Sequence, residues 1–347
     1  MSDVLIVGGG PVGLAAAIEA RLAGMSVTVA EPRIGTIDKA CGEVLLPGAV
    51  PMLQRLGIEP PGMPLRGVAF FGGGEDPWRV EHRFSSGVGL GLRRVVLHAL
   101  LTERAEELGI VRGYGRLQGL NQDAHAVTAL TDLGETIRCK WLIGCDGLRS
   151  ATARLAGLSD PHPPRHERFA VRRHFAVEPW SDVIEVHYGS DAEASVTPVG
   201  HDLVDVSVLG PRGVAYRATI NSIPELERRL RGAPAVTEAR GAGPFPRRTT
   251  ARTSGRVLLA GDASGYVDAI TSEGLRTGFA QAKAAIDAIR RGRPAEYERE
   301  WQRVTRPYNL ITSGLVGAGG TALRSGLVAT AAKAPRVFGA VMERLTR

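Results

Sequence analysis

Short apolar runs that stop at glycine or aspartate recur along the chain and predict strands. The clearest are DVLIV at residues 3–7, WLIG at 141–144 and VLLA at 257–260. An alanine-rich stretch at 11–22 reads as a helix, and VTVA at 27–30 reads as the next strand. Strand, helix and strand in this order predict an α/β fold.

Hydrophobic and polar residues alternate in the middle of the chain, which predicts a separate sheet. The strands FAVRRHFAV, DVIEVHYG and LVDVSVLG lie within 166–244, and a hairpin is predicted in 67–89. A short helix is expected from Glu225. We expect the inner face of this sheet to line a substrate pocket. The candidate lining residues, which a sheet core explains equally well, are Phe175, His187, Tyr188 and Pro198.

The two patterns together predict three structural parts. A discontinuous first domain takes in 1–66, 90–165 and 245–295, the inserted β-sheet domain takes in 67–89 and 166–244, and helices fill 296–347. The tail from about 308 either closes the pocket or lies on a membrane surface. If the tail lies on a membrane, the residues expected to face lipid are Leu327, Val328, Val337, Phe338, Val341 and Met342. Those expected to face the headgroups are Arg324, Lys333, Arg336 and Arg344.

A glycine motif follows the first strand at once. Gly8-x-Gly10-x-x-Gly13 opens the first helix, and Glu31 ends the second strand. Gly8 allows a tight turn, Gly10 lets a pyrophosphate approach the backbone, and Gly13 lets helix and strand pack closely. Glu31 can accept hydrogen bonds from a ribose diol. The motif predicts a dinucleotide site, either for FAD or for NAD.

Two later strands also end in an acid beside a glycine. Asp146-Gly147 follows WLIG, and Gly261-Asp262 follows VLLA. Because open α/β sheets bind ligands at the carboxyl ends of their strands, we expect these tips to meet the first motif at one ligand.

With these three segments the chain resembles the FAD-dependent family of para-hydroxybenzoate hydroxylase, geranylgeranyl reductases and flavin-dependent halogenases. The resemblance implies a Rossmann-like FAD-binding domain of the GR2 type, with an inserted β-sheet substrate domain and C-terminal helices. It implies that Asp262 binds the ribityl chain and that the helix opening near Gly274 points at the flavin's pyrimidine edge. The expected FAD-binding residues are Gly8, Gly10, Pro11, Val12, Gly13, Glu31, Pro32, Arg33, Lys39, Cys41, Gly42, Arg94, Asp146, Gly147, Gly261, Asp262, Gly274 and Leu275.

Some positions depart from the family pattern or leave alternatives open. Lys39 stands where hydroxylases commonly have arginine, and Cys41-Gly42 is similar to the reductase branch. Cys41 is either chemical or a packed small hydrophobe. Arg94, with Arg93 as the alternative, is either an FAD contact or a surface arginine on an amphipathic helix. Glu273 is either a polar lining group of the site or an ordinary acid at a helix start. Cys41 and Glu273 are the candidate catalytic residues.

The resemblance implies an FAD-dependent monooxygenase that acts on a hydrophobic aromatic or polyketide-like molecule of secondary metabolism. NAD(P)H would reduce the flavin and O₂ would add at C4a, and the hydroperoxide would transfer oxygen to the substrate. Because a second complete GxGxxG is absent, the reducing equivalents would come from transiently bound NAD(P)H or from a partner. The alternative is a reductase that saturates isoprenoid double bonds. Two further hypotheses are a halogenase and a non-catalytic flavin-binding subunit. The halogenase hypothesis lacks support, because the sequence WxWxIP is missing.

Composition narrows the remaining classes. Three cysteines in 347 residues suggest no disulfide framework, so we expect a cytoplasmic protein. The formal charge of +7 is scattered rather than clustered, so we expect no nucleic-acid partner. The eight histidines show no metal-ligand spacing, so we expect no metal site.

Overall fold

The computed structural model describes residues 1–40, 43–72, 78–162, 164, 167–319 and 335–346. The first sheet has eight strands, and the strand–helix–strand unit predicted at its start is present. Its strands are β1 (Ser2–Val7), β2 (Val27–Ala30), β8 (Val111–Gly113), β9 (Leu117–Gln122), β10 (Val127–Thr131), β11 (Thr136–Gly144), β17 (Thr253–Ser254) and β18 (Val257–Leu259). The predicted α/β class is confirmed.

Strands from distant parts of the chain run side by side in this sheet. The order is β17-β18-β11-β1-β2-β8, and β18, β11, β1, β2 and β8 are parallel to one another. The register aligns Val7 with Gly144 and Gly144 with Leu259. The three strand tips singled out from the sequence therefore end at one edge of one sheet.

Seven further strands form a second sheet, and three short strands form a third. The second has the order β16-β12-β15-β14-β13-β5-β6. Its strands are β5 (Gly67–Gly72), β6 (Trp78–Arg83), β12 (Arg168–Ala176), β13 (Ile184–Tyr188), β14 (Glu193–Gly200), β15 (Leu203–Gly210) and β16 (Arg240–Phe245). The third contains β3 (Val44–Leu45), β4 (Met63–Leu65) and β7 (Gly89–Gly91). The predicted hairpin is present, since β5 and β6 pair antiparallel.

Nine helices are found among the described residues. They are α1 (Pro11–Leu22), α2 (Val50–Arg55), α3 (Arg94–Glu107), α4 (Ala151–Leu155), α5 (Tyr216–Asn221), α6 (Pro224–Leu230), α7 (Gly274–Arg290), α8 (Glu296–Gly319) and α9 (Pro335–Thr346). The apolar residues of α1, α3 and α7 pack together with those of β1, β2 and β18 in the largest hydrophobic cluster. The short helix expected from Glu225 is α6.

The two faces of the seven-stranded sheet are covered differently. The outer face packs Phe175 and a set of valines against α5 and α6. The inner face, which belongs to the even-numbered residues of β12, carries Arg172 and His174, both fully buried. Successive side chains of a strand point to opposite faces, so this division follows directly from the alternation in FAVRRHFAV.

Helix α9 lies against the β5–β6 hairpin and α8. Met342 and Leu345 are buried in an apolar cluster with Tyr308 of α8, and Phe338 packs against that cluster. Glu343 accepts a hydrogen bond from the backbone N–H of Ser85 at 2.6 Å. Phe338 and Met342 thus pack against protein, while the predicted membrane-facing residues between 324 and 333 lie outside the described residues. In the described residues, no helix is long and apolar enough to cross a membrane.

Candidate functional site

One cavity of about 460 Å³ opens at the edge where the three strand tips meet. It runs from the glycine turn after β1 to the inner face of the seven-stranded sheet. Twelve of the residues expected to bind FAD line it: Gly10, Pro11, Val12, Arg33, Lys39, Arg94, Asp146, Gly147, Gly261, Asp262, Gly274 and Leu275. Cys41 and Gly42 lie outside the described residues.

The glycine turn has room for a phosphate group at only one of its three glycines. A Cβ on Gly8 would lie 2.5 Å from the Cys145 carbonyl oxygen, and one on Gly13 would lie 1.8 Å from the Gly8 oxygen. A Cβ on Gly10 would meet nothing within 4 Å. Helix α1 has no side-chain N-cap, so its first N–H groups are open to an anionic ligand at this point. The turn therefore fits the pyrophosphate of a dinucleotide.

Glu31 is buried at the end of β2, beside the glycine turn. It accepts a hydrogen bond from the Gly9 N–H at 2.7 Å and forms an ion pair with Arg33 at 2.7 Å. Burial opposes ionisation of this carboxyl, but the hydrogen bonds from Arg33 and Gly9 outweigh it and lower its pKa. Glu31 is thus held as a carboxylate at the position expected for a ribose contact, with the Arg33 guanidinium, which lines the cavity, against it.

Asp146 has a structural task at its strand tip. Its carboxylate accepts from the Ser150 hydroxyl at 2.5 Å and from the Thr152 N–H at 2.9 Å, which secures the start of α4. Gly147 follows with a φ of 76°, a conformation that favours glycine. The tip lines the cavity through this turn, while the carboxylate is occupied within the protein.

Asp262 lies across the cavity from the loop that precedes β3. Its carboxylate pairs with the Lys39 ammonium at 2.7 Å. A hydrogen bond holds the strand tip in place, because Gln281 of α7 accepts from the Gly261 N–H at 2.7 Å. From α8, Trp301 donates to the Ser264 hydroxyl oxygen at 2.8 Å. The sequence analysis did not identify Gln281 or Trp301. The only available signal was that each places a polar atom on an otherwise apolar face of its helix.

Glu43 joins the same loop to the inner face of the second sheet. It is buried with φ at 52°, and its carboxylate accepts from the Arg94 N–H at 2.8 Å. Its other oxygen lies 2.7 Å from His174 Nε2. Arg172, which is fully buried, lies between Glu43 and Asp205, 3.7 Å and 3.9 Å away. A left-handed φ is unfavourable for a residue with a side chain, so these contacts have to hold Glu43 in place.

A cluster of three side chains has the residue types that ligate metals. Their potential ligand atoms, on Glu43, His174 and Asp205, lie within 4.8 Å of one another. The Arg172 guanidinium already supplies positive charge at this cluster, with its NH1 group 3.0 Å from His174 Nδ1. A divalent cation would be repelled by that guanidinium, so we assign the cluster as an ion-pair network.

Arg94 and Arg93, the two candidate arginines for an FAD contact, differ in burial and in their relation to the cavity. Arg94 is 8% exposed and lines the cavity, whereas Arg93 is the partly buried residue that precedes the first turn of α3. The surface-arginine reading of Arg94 is therefore wrong.

Glu273 lies immediately before α7 but its carboxylate is directed toward α8. It accepts from the Thr312 hydroxyl at 3.2 Å. Burial raises the pKa of Glu273 to about 7. Its neighbour Ser272 lines the cavity with a φ of 55°. The backbone keeps a glycine-like conformation there in spite of the serine.

Other expected residues lie elsewhere. Phe175 is fully buried on the outer face of the second sheet and His187 pairs with Glu185 at 2.9 Å, so the expectation that they line the pocket is wrong. Tyr188 packs with the aromatic residues of the hairpin, and Pro198 borders a different, shallower depression. Five further candidates are neighbours in sequence of residues that line the cavity but do not line it themselves in the described part of the chain. They are Gly8, Gly13, Glu31, Pro32 and Glu273.

The two described cysteines are buried. Burial raises the pKa of Cys139 to about 11 and raises that of Cys145 further. A thiol with a raised pKa holds little thiolate and is a poor nucleophile. Both residues are therefore packing residues rather than nucleophiles, although Cys145 also borders the cavity.

A family described as "FAD binding domain" matches residues 1–289. The chain belongs to this FAD-binding family. The cavity at the strand tips is accordingly the place where the family's cofactor, FAD, fits this chain.

Named relatives of this FAD-binding chain include enzymes of more than one kind. Rifampicin monooxygenase of Streptomyces venezuelae is 28% identical over 298 residues, which are 81% of this chain and 62% of the relative. Digeranylgeranylglycerophospholipid reductase 1 of Methanothermobacter thermautotrophicus is 28% identical over 331 residues, 86% of this chain and 81% of the relative. The chain thus spans less than two thirds of the length of the first of these relatives.

The fold is also that of a solved flavoenzyme. The flavin-dependent brominase Bmp2 (a triple mutant) superposes with a TM-score of 0.82 at 20% identity, over 100% of this chain and 95% of that one. At this identity the likeness defines the fold alone, and it agrees with the GR2-type fold expected from the sequence.

Proposed function

We propose that this chain is an FAD-dependent monooxygenase that oxidises a hydrophobic aromatic or polyketide-like small molecule with NAD(P)H and O₂. The observation that carries the proposal is the single cavity that adjoins both the glycine turn at Gly10 and the inner face of the second sheet. Such a cavity can hold a cofactor and a small molecule side by side. The Streptomyces venezuelae relative, named as a monooxygenase, supports this reading.

FAD, when bound, would supply the redox chemistry, and the chain would supply binding, orientation and electrostatics. The first N–H groups of α1 would hold the pyrophosphate, and Glu31 would accept from the ribose hydroxyls. Asp262 would accept from a ribityl hydroxyl. The N-terminus of α7, at Gly274 and Leu275, would stabilise negative charge at the opposite end of the cofactor.

We propose that 1–66, 90–165 and 245–295 bind FAD, that 67–89 and 166–244 bind the substrate, and that 296–347 is a C-terminal helical segment. Cys41 and Gly42 are retained as proposed cofactor contacts. A Cys41→Ala variant with full activity would assign that thiol to packing.

A second candidate function is the reduction of isoprenoid double bonds. The observation that favours it is the Methanothermobacter relative, a named reductase that this chain covers over 81% of its length. The requirement for oxygen distinguishes the two proposed activities. Under the first proposal NAD(P)H consumption requires O₂ and ¹⁸O₂ labels the product; under the second, pre-reduced protein saturates an alkene without oxygen.

The cofactor assignment is tested by flavin content. Asp262→Ala removes a charged hydrogen-bond acceptor, so flavin should bind about tenfold or more weakly. The visible absorption of the purified variant measures this, with the exposed Asp202→Ala as the matched control. Unchanged flavin retention in the Asp262 variant would remove Asp262 from the site.

A further inference from the structure

Glu273 occupies the turn that leads into α7, directly behind the cavity wall. Its neighbours Ser272, Gly274 and Leu275 line the cavity, whereas Glu273 itself does not. Its side chain is directed toward α8 instead, and the residue is only 5% exposed. A carboxyl group is therefore buried behind the part of the wall that the proposed function assigns to the flavin end of FAD.

The carboxylate of Glu273 is hydrogen-bonded to a hydroxyl. Thr312 of α8 donates to Oε1 at 3.2 Å, and Oε2 has no hydrogen-bond partner in the described part of the chain. Asp268, a buried acid in the same loop, has in contrast an ion pair with Arg168 at 3.1 Å. Burying a charge is unfavourable unless hydrogen bonds and an opposite charge compensate it. Of these two acids, Glu273 is the one whose surroundings favour the protonated form.

The charges around Glu273 come from α7 and α8. Arg276, three residues further along α7, and Tyr308 of α8 are the titratable groups that act on it in the described residues, and Arg344 of α9 acts on Tyr308. The Arg276 guanidinium lies over the Tyr308 ring, 4.6 Å from its centre. Burial raises the pKa of Glu273 to about 7 and outweighs the threonine hydroxyls and Arg276, which lower it. The carboxyl group therefore changes its charge near neutral pH.

Two hydroxyls connect Glu273 to a less buried part of the loop. Thr271 Oγ1 lies 3.0 Å from Thr312 Oγ1, and Thr312 is buried whereas Thr271 is partly exposed. Because Thr312 donates its single hydrogen to the carboxylate, Thr271 has to donate to Thr312. Each hydroxyl can both donate and accept, so the chain can reverse its direction when the carboxyl group is protonated. A proton thus has a path of two hydroxyls between a partly exposed residue and the buried carboxylate.

We propose that Glu273 binds a proton when the flavin is reduced and releases it when the flavin is reoxidised. The inference rests on the function proposed above and adds a proton-binding residue to it. Negative charge on the reduced flavin and the negative charge of the carboxylate would compete for one helix start, so each makes the other less favourable. Reduction then takes two electrons from NAD(P)H and two protons, of which the flavin binds one and Glu273 binds the other.

This role acts through charge and is confined to a defined pH range. Glu273 does not line the cavity, so it tunes the potential of the flavin and is not a catalytic residue. Well below pH 7 the carboxyl group is protonated whether the flavin is oxidised or reduced, and it takes up nothing on reduction. Above pH 7 it is ionised beside the oxidised flavin, and the proton is bound only on reduction.

The test is the pH dependence of the two-electron midpoint potential of the bound flavin. It is measured without oxygen against a reference dye, with xanthine and xanthine oxidase as the electron source. Each proton bound on reduction adds about 30 mV per pH unit to the slope of a two-electron potential. We expect the wild-type slope between pH 7 and 8 to exceed that of flavin-loaded Glu273→Gln by up to about 30 mV per pH unit. Near pH 5.5 the two slopes should agree.

Two further variants control this comparison. Glu300→Gln makes the same change of charge at a side chain of α8 that is 40% exposed, and it should keep the wild-type slope. Thr312→Val keeps the shape of the side chain but removes the hydrogen bond to the carboxylate. The range of steeper slope should then move to higher pH by about one unit. This variant tests the proposal even if Glu273→Gln loses its flavin.

Equal slopes between pH 7 and 8 in wild type and flavin-loaded Glu273→Gln overturn the proposal, even if the potentials differ by a constant offset. An unchanged pH range in Thr312→Val also overturns it. Because the measurement needs neither oxygen nor substrate, the expected slopes can be found while oxygen-dependent NAD(P)H oxidation fails, which would refute only the monooxygenase assignment. Oxygen-dependent NAD(P)H oxidation with equal slopes would refute only the role of Glu273.

Discussion

The two faces of the seven-stranded sheet bury side chains equally deeply but hold them by different forces. On the outer face, Phe175, Val204 and Val206 pack against two short helices in an apolar cluster, in which Tyr216 of α5 donates one hydrogen bond to the Val206 carbonyl. On the inner face, Arg172 and His174 are just as buried but are held by ion pairs. The cluster around Phe175 depends on shape, although Glu185 and His187 form a buried pair elsewhere on the outer face, whereas the inner face depends on matched charge.

This difference bears on where a ligand can bind. Apolar packing fills the space between the Phe175 cluster and the two helices, since interiors tolerate few voids. Charged groups need partners rather than close packing, and the inner face continues from the ion-pair network into the cavity wall at Ser207 and Glu193. The same strands can therefore supply both a sealed core and a polar binding surface.

The largest expected effect comes from removing Arg172. Arg172→Leu leaves Glu43 and Asp205 buried without their shared cation, which should lower the free energy of unfolding by about 4 kcal/mol. Urea denaturation measures this. Adding Glu43→Gln to the same chain should restore part of the loss, because it removes one of the two uncompensated charges. Arg212→Leu, at a side chain 75% exposed, should change the free energy by about 0.5 kcal/mol or less. Equal losses in the two arginine variants would refute the charge-based account of the inner face.

A smaller effect is expected from Glu273, a buried carboxylate held by a hydroxyl rather than by a charge network. Burial raises its pKa in the folded protein from the ordinary value of 4.5 to about 7. The folded state therefore binds the proton more tightly, and its stability falls as pH rises from 4.5 to 7. Glu273→Gln should match wild type near pH 4.5 and exceed it at pH 8 by on the order of 3 kcal/mol. Thermal unfolding across this pH range measures it. A constant difference at every pH would contradict the raised pKa.

The outer face should respond to lost volume alone. Val206→Ala removes two methyl groups from a fully buried position, which should cost about 2 kcal/mol at every pH between 5 and 8. Flavin content should stay as in wild type, because Val206 points away from the cavity. A marked loss of flavin would show that the two faces are coupled and would weaken the comparison.

The cofactor end of the site was predictable because its signals are local. Gly10 and the strand tips at Asp146 and Asp262 each stand next to a short apolar run, and parallel strands bring their carboxyl ends to one edge. The glycine turn and the tips at Asp146 and Asp262 line the cavity for this reason, whereas Lys39 and Arg94, which also line it, follow from the family resemblance.

The substrate end was not predictable to the same degree. Alternation assigns Phe175 and His174 to opposite faces but does not say which face meets the cavity. The partner of His174 is Glu43, 131 positions earlier, and no local pattern connects them. The charges of FAVRRHFAV therefore gave no indication that Arg172 would be fully buried. Local patterns define the strands, but long-range pairings decide which side chains share a site.

The distribution of the cavity along the chain has a consequence for biosynthesis. A nascent polypeptide emerging from the ribosome would expose the glycine turn early, but Asp262 and the supporting Gln281 are translated only after some 260 residues have already been made. Until then the ligand-facing edge of the first sheet lacks β18 and its tip. Flavin can therefore be captured fully only late in translation or after release, and a ribosome-stalled fragment ending before residue 261 should not retain it.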